Sequence, residues 1–197
     1  NSHPVCQDYG IAGPNYVIIS DGCSSAKDSD VGARLICIAA RNNVHLLAKD
    51  PELFYDCLLR ELTSYRDGIN LNNDVFCATL LVLYAVPGAF LLFIIGDGFV
   101  MQNGRHGMLL TRFSFSDNTP FYPNYAMSRE DGRRWELAAH TWEEDSDGVI
   151  KTIDFDPARP YLFRELAGVM AVVATDGIAS FQETISLETS SSRSPMP

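Results

Sequence analysis

Three apolar segments of this chain drive straight into Asp-Gly, at residues 15–22, 89–98 and 169–177. Val17, Ile18 and Ile19 are β-branched and suit a strand covered on both faces, and the runs ahead of Asp97 and Asp176 are just as apolar. Asp-Gly cannot continue such a strand and must turn at its exposed end. Any one of these is an ordinary strand-ending turn. Together they deliver Asp21, Asp97 and Asp176 from three separate strand ends, the pattern of a carboxylate cluster.

The remaining elements read in order. In the polar loop 23–30, Ser29 or Asp30 can cap a helix, and the apolar spacing from Val31 to Leu47 predicts one over 30–49 that packs on a sheet. Asp50-Pro51-Glu52 has the cap-then-proline order of a second helix over 51–67. Residues 75–86 and 89–95, joined across Pro87-Gly88, read as two buried antiparallel strands; 99–102 and 108–111 flank a second hairpin turn at 103–107. Residues 114–161 are rich in Asp, Asn, Pro, Tyr and Trp, with short strands expected at 135–140 and 149–155. Residues 160–167 read as a short helix or as a lead-in to the strand at 169–175, and a brief helix is expected at 177–183. The organisation is one domain over 1–182, with an irregular, flap-like region at 114–161, followed by a Ser/Thr-rich tail at 183–197.

At 197 residues with 46% apolar content, the chain can close one substantial core. Its 15 Lys and Arg against 25 Asp and Glu give a net charge of −10, which excludes a nonspecific nucleic-acid binder and suits a site for divalent cations. No apolar run reaches membrane-span length and residues 1–4 lack signal-peptide features, so a soluble, cytoplasmic protein is expected. The five cysteines include no C-x-x-C pair, signalling neither a zinc cage nor a disulfide framework, and Cys37, Cys57 and Cys77 read as buried small hydrophobes.

Carboxylates without histidine or cysteine partners are hard oxygen ligands, suited to magnesium or manganese rather than zinc. Two such ions sharing a carboxylate and a water stabilise in-line attack on phosphorus. Phosphate-ester hydrolysis is the chemistry this set would serve.

Four blocks, in order, resemble the metal-dependent PP2C (PPM) serine/threonine phosphatases, particularly a bacterial branch: residues 2–8 ending in Gln7-Asp8; Ile19 to Ser25 with Val31-Gly32-Ala33; Phe76 to Thr79 followed by Ile95 to Gly98; and Ala174 to Ile178. The resemblance spans roughly residues 2–181. It implies an α/β (α+β) sandwich of two antiparallel β-sheets flanked by α-helices, and a phosphatase acting on phosphoserine or phosphothreonine in proteins. By it, Asp21 bridges two Mg²⁺ or Mn²⁺ ions, the Gly22 carbonyl and Asp8 serve one ion, Asp176 the other, and Asp97 helps hold a third. Water attacks phosphorus directly, so Ser20, Cys23, Ser24 and Ser25 are loop residues rather than nucleophiles. A monomer with phosphorylated protein substrates, and without nucleic-acid or membrane partners, is expected. In the region 114–161 the aromatics Phe121, Tyr122, Tyr125, Trp135 and Trp142 could contact substrate or simply pack.

The departures are specific. Gln7 stands where many relatives carry Glu. Cys23 stands where many carry a histidine that could donate a proton. The arginine that commonly grips phosphate is absent, and His3 is the comparably placed candidate for that contact. No later motif supplies the family's last aspartate, since only Glu183 and Glu188 follow; the expectation is a domain incomplete at its C-terminal end, the alternative an incomplete metal site. Two rival functions stay open: a pseudophosphatase serving as a binding or regulatory module, and a hydrolase of small phosphate esters.

Overall fold

A computed structural model describes residues 6–104, 107–115, 118–128, 132, 135, 141–146, 148–156, 158–168 and 170–177. Among them, ten strands form two antiparallel five-stranded sheets. The first contains β1 (Asp8–Gly13), β2 (Tyr16–Asp21), β3 (Leu80–Val86), β4 (Ala89–Ile95) and β9 (Leu162–Ala167), in that order. The second runs β10 (Ala171–Ala174), β5 (Gly98–Gly104), β6 (Gly107–Phe115), β7 (Thr141–Ser146), β8 (Val149–Asp154).

β3 and β4 are nearly continuous runs of Leu, Ile, Val and Phe because both their faces are covered, unlike strands with one wet face. Leu80, Leu81, Val82, Leu92, Phe93, Ile94 and Ile95 are all fully buried. Helices α1 (Ser29–Asn43) and α2 (Pro51–Gly68) lie over the first sheet, and Phe54 of α2 meets Phe93 edge-on at 4.8 Å. β10 packs across β3 and β2. β2 is less covered than its composition predicts: Ile18 is buried, but Val17 is exposed near the open end of the sheet.

α1 is shorter than the apolar pattern suggests, ending at Asn43 before a 3₁₀ turn at Val44–Leu46. Asn43 Nδ2 bonds the Ala39 carbonyl, the local side-chain competition that makes asparagine a poor helix interior. At its start neither Ser29 nor Asp30 caps; the capping position is Asp28, left-handed and without a side-chain bond. Ser29 is used elsewhere, as described below. α2 begins as read, with Asp50 Oδ1 accepting from the backbone of Glu52 and Leu53 ahead of the N-terminal proline.

Other differences follow from local chemistry. Val75 and Phe76, read as the start of a strand, instead close a 3₁₀ turn at Asn73–Phe76, where Asn72 Oδ1 accepts from Asp74 N–H. Residues 162–167 are neither a helix nor a lead-in but β9, paired along β4 in the opposite sheet from β10. Trp135 is helical and the strand expected there begins at Thr141; residues 136–140 lie outside the described set, as do most of 177–183 and the tail. Within 114–161, the β7–β8 hairpin extends the second sheet through β6. Of the cysteines read as core, Cys37 is buried, whereas Cys57 and Cys77 are half-exposed, Cys57 on the α2 flank toward Arg60 and Cys77 ahead of β3.

Two contacts tie the layers. Gly32 lets α1 press on the 3₁₀ turn so closely that a Cβ there would lie 1.7 Å from the Val75 carbonyl oxygen. Arg164 of β9 reaches across to Glu144 of β7 with two charge-assisted bonds of 2.7 Å, joining one sheet to the other.

Gly32→Ala must displace backbone, and we expect it to cost about 2–3 kcal/mol in urea unfolding, against the gain an alanine normally brings inside a helix. Arg164→Met should cost about 2 kcal/mol, since it leaves the nearly buried Glu144 carboxylate without its partner. Arg164 holds the Glu144 pKa below the ordinary range, so this stabilisation is present above that range and fades as pH falls through it. The wild-type and Arg164→Met melting temperatures should therefore converge toward acid.

Candidate metal centre

The strand ends bring together acids distant in sequence. β1 and β2 pair with Asp8 opposite Asp21, and the Asp21 carboxyl hydrogen-bonds both Asp8 and Asp176. Asp176 follows β10, whereas Asp97 lies in the turn between β4 and β5. Asp21, Asp97 and Asp176 line one cleft of about 360 Å³ with Gln7, Gly22, Cys23, Ser24, Thr79, Asn118, Pro120 and Tyr122.

Asp21 is fixed by backbone. Thr79 N–H donates to its carbonyl at 2.9 Å, and Asp21 N–H donates to Thr79 Oγ1 at 3.0 Å. The neighbouring Ser20 hydroxyl bonds the Thr79 carbonyl at 2.5 Å. Gly22 N–H donates to the Gln7 carbonyl at 3.2 Å, and a Cβ on Gly22 would sit 2.8 Å from the Ser29 carbonyl oxygen, so only glycine lets the turn close under α1. Gln7 Nε2 donates to Ser29 Oγ at 2.9 Å, and that hydroxyl donates to the Cys23 carbonyl at 2.9 Å. Gln7 is thus a clasp between β1 and α1.

Burial, together with hydrogen bonds to and charge on Asp176 and Asp8, pushes the Asp21 carboxyl up to about 9. Burial and the Asp176 charge push Asp97 up to about 6, with Arg112 pulling the other way. The described residues lining the cleft include no lysine or arginine. A cluster like this cannot be fully ionised without added positive charge, and its donors are the hard oxygens that magnesium and manganese take. By donor chemistry the set fits such an ion. Among the described residues no three His, Cys, Asp or Glu groups stand arranged to hold a metal ion.

Of the residues singled out from sequence, Asp8, Asp21, Gly22, Asp97 and Asp176 meet in this neighbourhood; His3 lies outside the described residues. Sequence reasoning gave no role to Thr79, which pins Asp21, and read Ser29, which ties the loop, only as a candidate helix cap. The Phe76–Thr79 block contained the first signal, a small polar residue immediately ahead of the apolar strand β3. Among the aromatics, Tyr122 lines the cleft along with Cys23. Phe121, Trp135 and Trp142 are buried, with Phe115 and Phe155, in an aromatic cluster.

Fold and site together define a two-sheet α+β sandwich with an acidic cleft where the sheets meet. The chain belongs to the protein phosphatase 2C family, whose model matches residues 2–195. Among solved structures it is similar to the catalytic domain of the serine/threonine protein phosphatase PstP in complex with two manganese ions, at 12% identity and a TM-score of 0.48, covering 91% of this chain and 74% of that one. No curated protein matches the chain. Among the described residues no helix is long and apolar enough to cross a membrane.

Because the folded Asp21 binds its proton more tightly than an unfolded aspartate, its contribution to stability is fully present below about pH 4 and is lost as pH rises toward about 9. In chelator, thermal melting should therefore fall across that range. Asp21→Asn should flatten the fall and melt above wild type at pH 8.

Proposed function

We propose that the protein is a Mg²⁺- or Mn²⁺-dependent phosphatase hydrolysing phosphoserine or phosphothreonine in proteins. The observation that carries this reading is the meeting of Asp21 with Asp8 and Asp176 from separate strand ends, within a chain of the phosphatase 2C family. Asp21, between two other acids, is the residue to bridge two ions. Asp8 and the Gly22 carbonyl would serve one ion and Asp176 the other, with Asp97 at a third. Bound there, the ions would supply an activated water and neutralise phosphate charge. The chain's own part is positioning: Thr79 holds the Asp21 backbone, Gln7 and Ser29 hold the Gly22–Cys23 turn, and Asn118, Pro120 and Tyr122 form other parts of the cleft lining. His3 is the candidate phosphate contact.

A pseudophosphatase is the second reading, favoured by a Gln7 side chain occupied with Ser29 and by the lack, among the described residues, of three His, Cys, Asp or Glu groups arranged to hold a metal ion. Calorimetry with Mn²⁺ separates the two, because a pseudophosphatase that has lost its metals gives no binding heat. For the phosphatase, turnover of a phosphothreonine peptide and of p-nitrophenyl phosphate should require Mn²⁺ and stop with EDTA. Asp21→Ala should abolish it, and Thr79→Val should lower it roughly 10- to 100-fold. Metal-independent turnover, or full activity in Asp21→Ala, would sink this mechanism. Turnover of the small ester alone would point to a small-ester hydrolase.

A further inference from the structure

Beyond Asp21, β2 continues alongside the residues that lead into β3. Thr79 N–H reaches the Asp21 carbonyl, Gly22 pairs with Ala78, and Cys23 N–H donates to the Cys77 carbonyl at 2.8 Å. Cys23 thus stands opposite Cys77 through this one backbone bond, while the Cys77 N–H turns back to the Asp74 carbonyl at 3.1 Å. Residues joined across two antiparallel segments by such a backbone bond have Cα atoms about 5.5 Å apart, inside the span of a disulfide. Cys23 lines the cleft with Asp21 and Thr79, and Cys77 lies two residues before Thr79 on the facing segment. Both cysteines are half-exposed thiols. Cys37 is buried and Cys57 lies on α2 against Arg60 Nη2 at 3.0 Å.

We propose that Cys23 and Cys77 form a reversible redox site, closing a disulfide beside the acidic cluster in response to a peroxide. Cys23 Sγ attacks one oxygen of hydrogen peroxide. The O–O bond breaks, the departing hydroxide takes the thiol proton and leaves as water, and Cys23 becomes a sulfenic acid. Cys77 Sγ then attacks the Cys23 sulfur; the S–S bond forms, the S–O bond breaks, and hydroxide leaves as a second water with the Cys77 proton. Two thiols lose two electrons and two protons, and one peroxide becomes two waters. A small dithiol reverses the bond by exchange. Closure takes the Cys23 sulfur from Ser25 Oγ, now 3.1 Å away, and fastens the Gly22 turn to the head of β3. Cys6 is the competing partner, since extending the β1–β2 register by two residues brings it level with Cys23. Its sulfur, however, turns toward the Asp8 carbonyl of its own strand at 3.8 Å.

The test is non-reducing peptide mapping of the reduced full chain after treatment with equimolar hydrogen peroxide. A Cys23–Cys77 linked peptide, two hydrogens lighter than its parts and absent after dithiothreitol, is expected. Cys57→Ser should keep the link. Cys77→Ser should lose it and leave Cys23 as a sulfenic acid that dimedone traps, with circular dichroism unchanged. Oxidised wild type should melt several degrees above the reduced form, because the bond closes the long loop carrying α1 and α2, and Cys77→Ser should lose that rise. Linkage of Cys23 to Cys6, or dimedone trapping in wild type as complete as in Cys77→Ser, would overturn the proposal. So would consumption of the thiols with no rise in melting temperature.

Discussion

Asp21 is placed by hydrogen bonds that leave its carboxyl no route out of a crowded, repulsive position. Its carbonyl and its amide are both engaged by Thr79, the preceding hydroxyl bonds the same residue, and the following glycine is trapped between Gln7 and Ser29. Each bond is worth about 1 kcal/mol net, but together they over-determine the backbone. Repulsion among acids is then expressed as retained protons rather than as movement. That is how a fold stores an unfavourable charge arrangement at a site meant for something else.

The second half of the cluster depends on the packing of the two sheets. Asp97 lies where the chain leaves β4 of one sheet for β5 of the other, and Asp176 follows β10, the strand that crosses β2 and β3. At the crossing Gly98 approaches the Leu81 side chain and the Ala174 carbonyl so closely that a Cβ would meet the first at 2.5 Å and the second at 3.0 Å. The Arg164–Glu144 bridge joins the same sheets through β9 and β7. Sheet separation and carboxylate separation are therefore one quantity, and a change that loosens the sandwich changes the cleft.

Sequence made the strand ends legible because an apolar run stopped by Asp-Gly has few other interpretations, and Pro87-Gly88 and Asp50-Pro51 were equally local signals. What it hid was contingent on tertiary partners. Residues 162–167 have no distinctive period, and become a strand because β4 offers an unpaired edge. Ser29 looked like a helix cap but serves Cys23 and Gln7, and Thr79 acquires its role only from facing Asp21. The aromatics of 114–161 read equally as substrate contacts or as packing; Phe121, Trp135 and Trp142 are buried because β6, β7 and β8 build a sheet face that needs filling.

The charge of the cleft has a consequence for any phosphate ligand. Three carboxylates line the cleft, a fourth hydrogen-bonds Asp21, and no described lysine or arginine lines it. A phosphate dianion approaching that surface meets like charge at a few ångströms, where screening by salt is weakest. The net charge of −10 adds repulsion at longer range. Divalent cations would change both terms together, letting the acids ionise and reversing the sign of the field the phosphate meets. Anion affinity and carboxylate ionisation are thereby coupled at Asp21. Asp21, whose ionisation works against the metal-free fold, is also the residue on which the proposed chemistry rests.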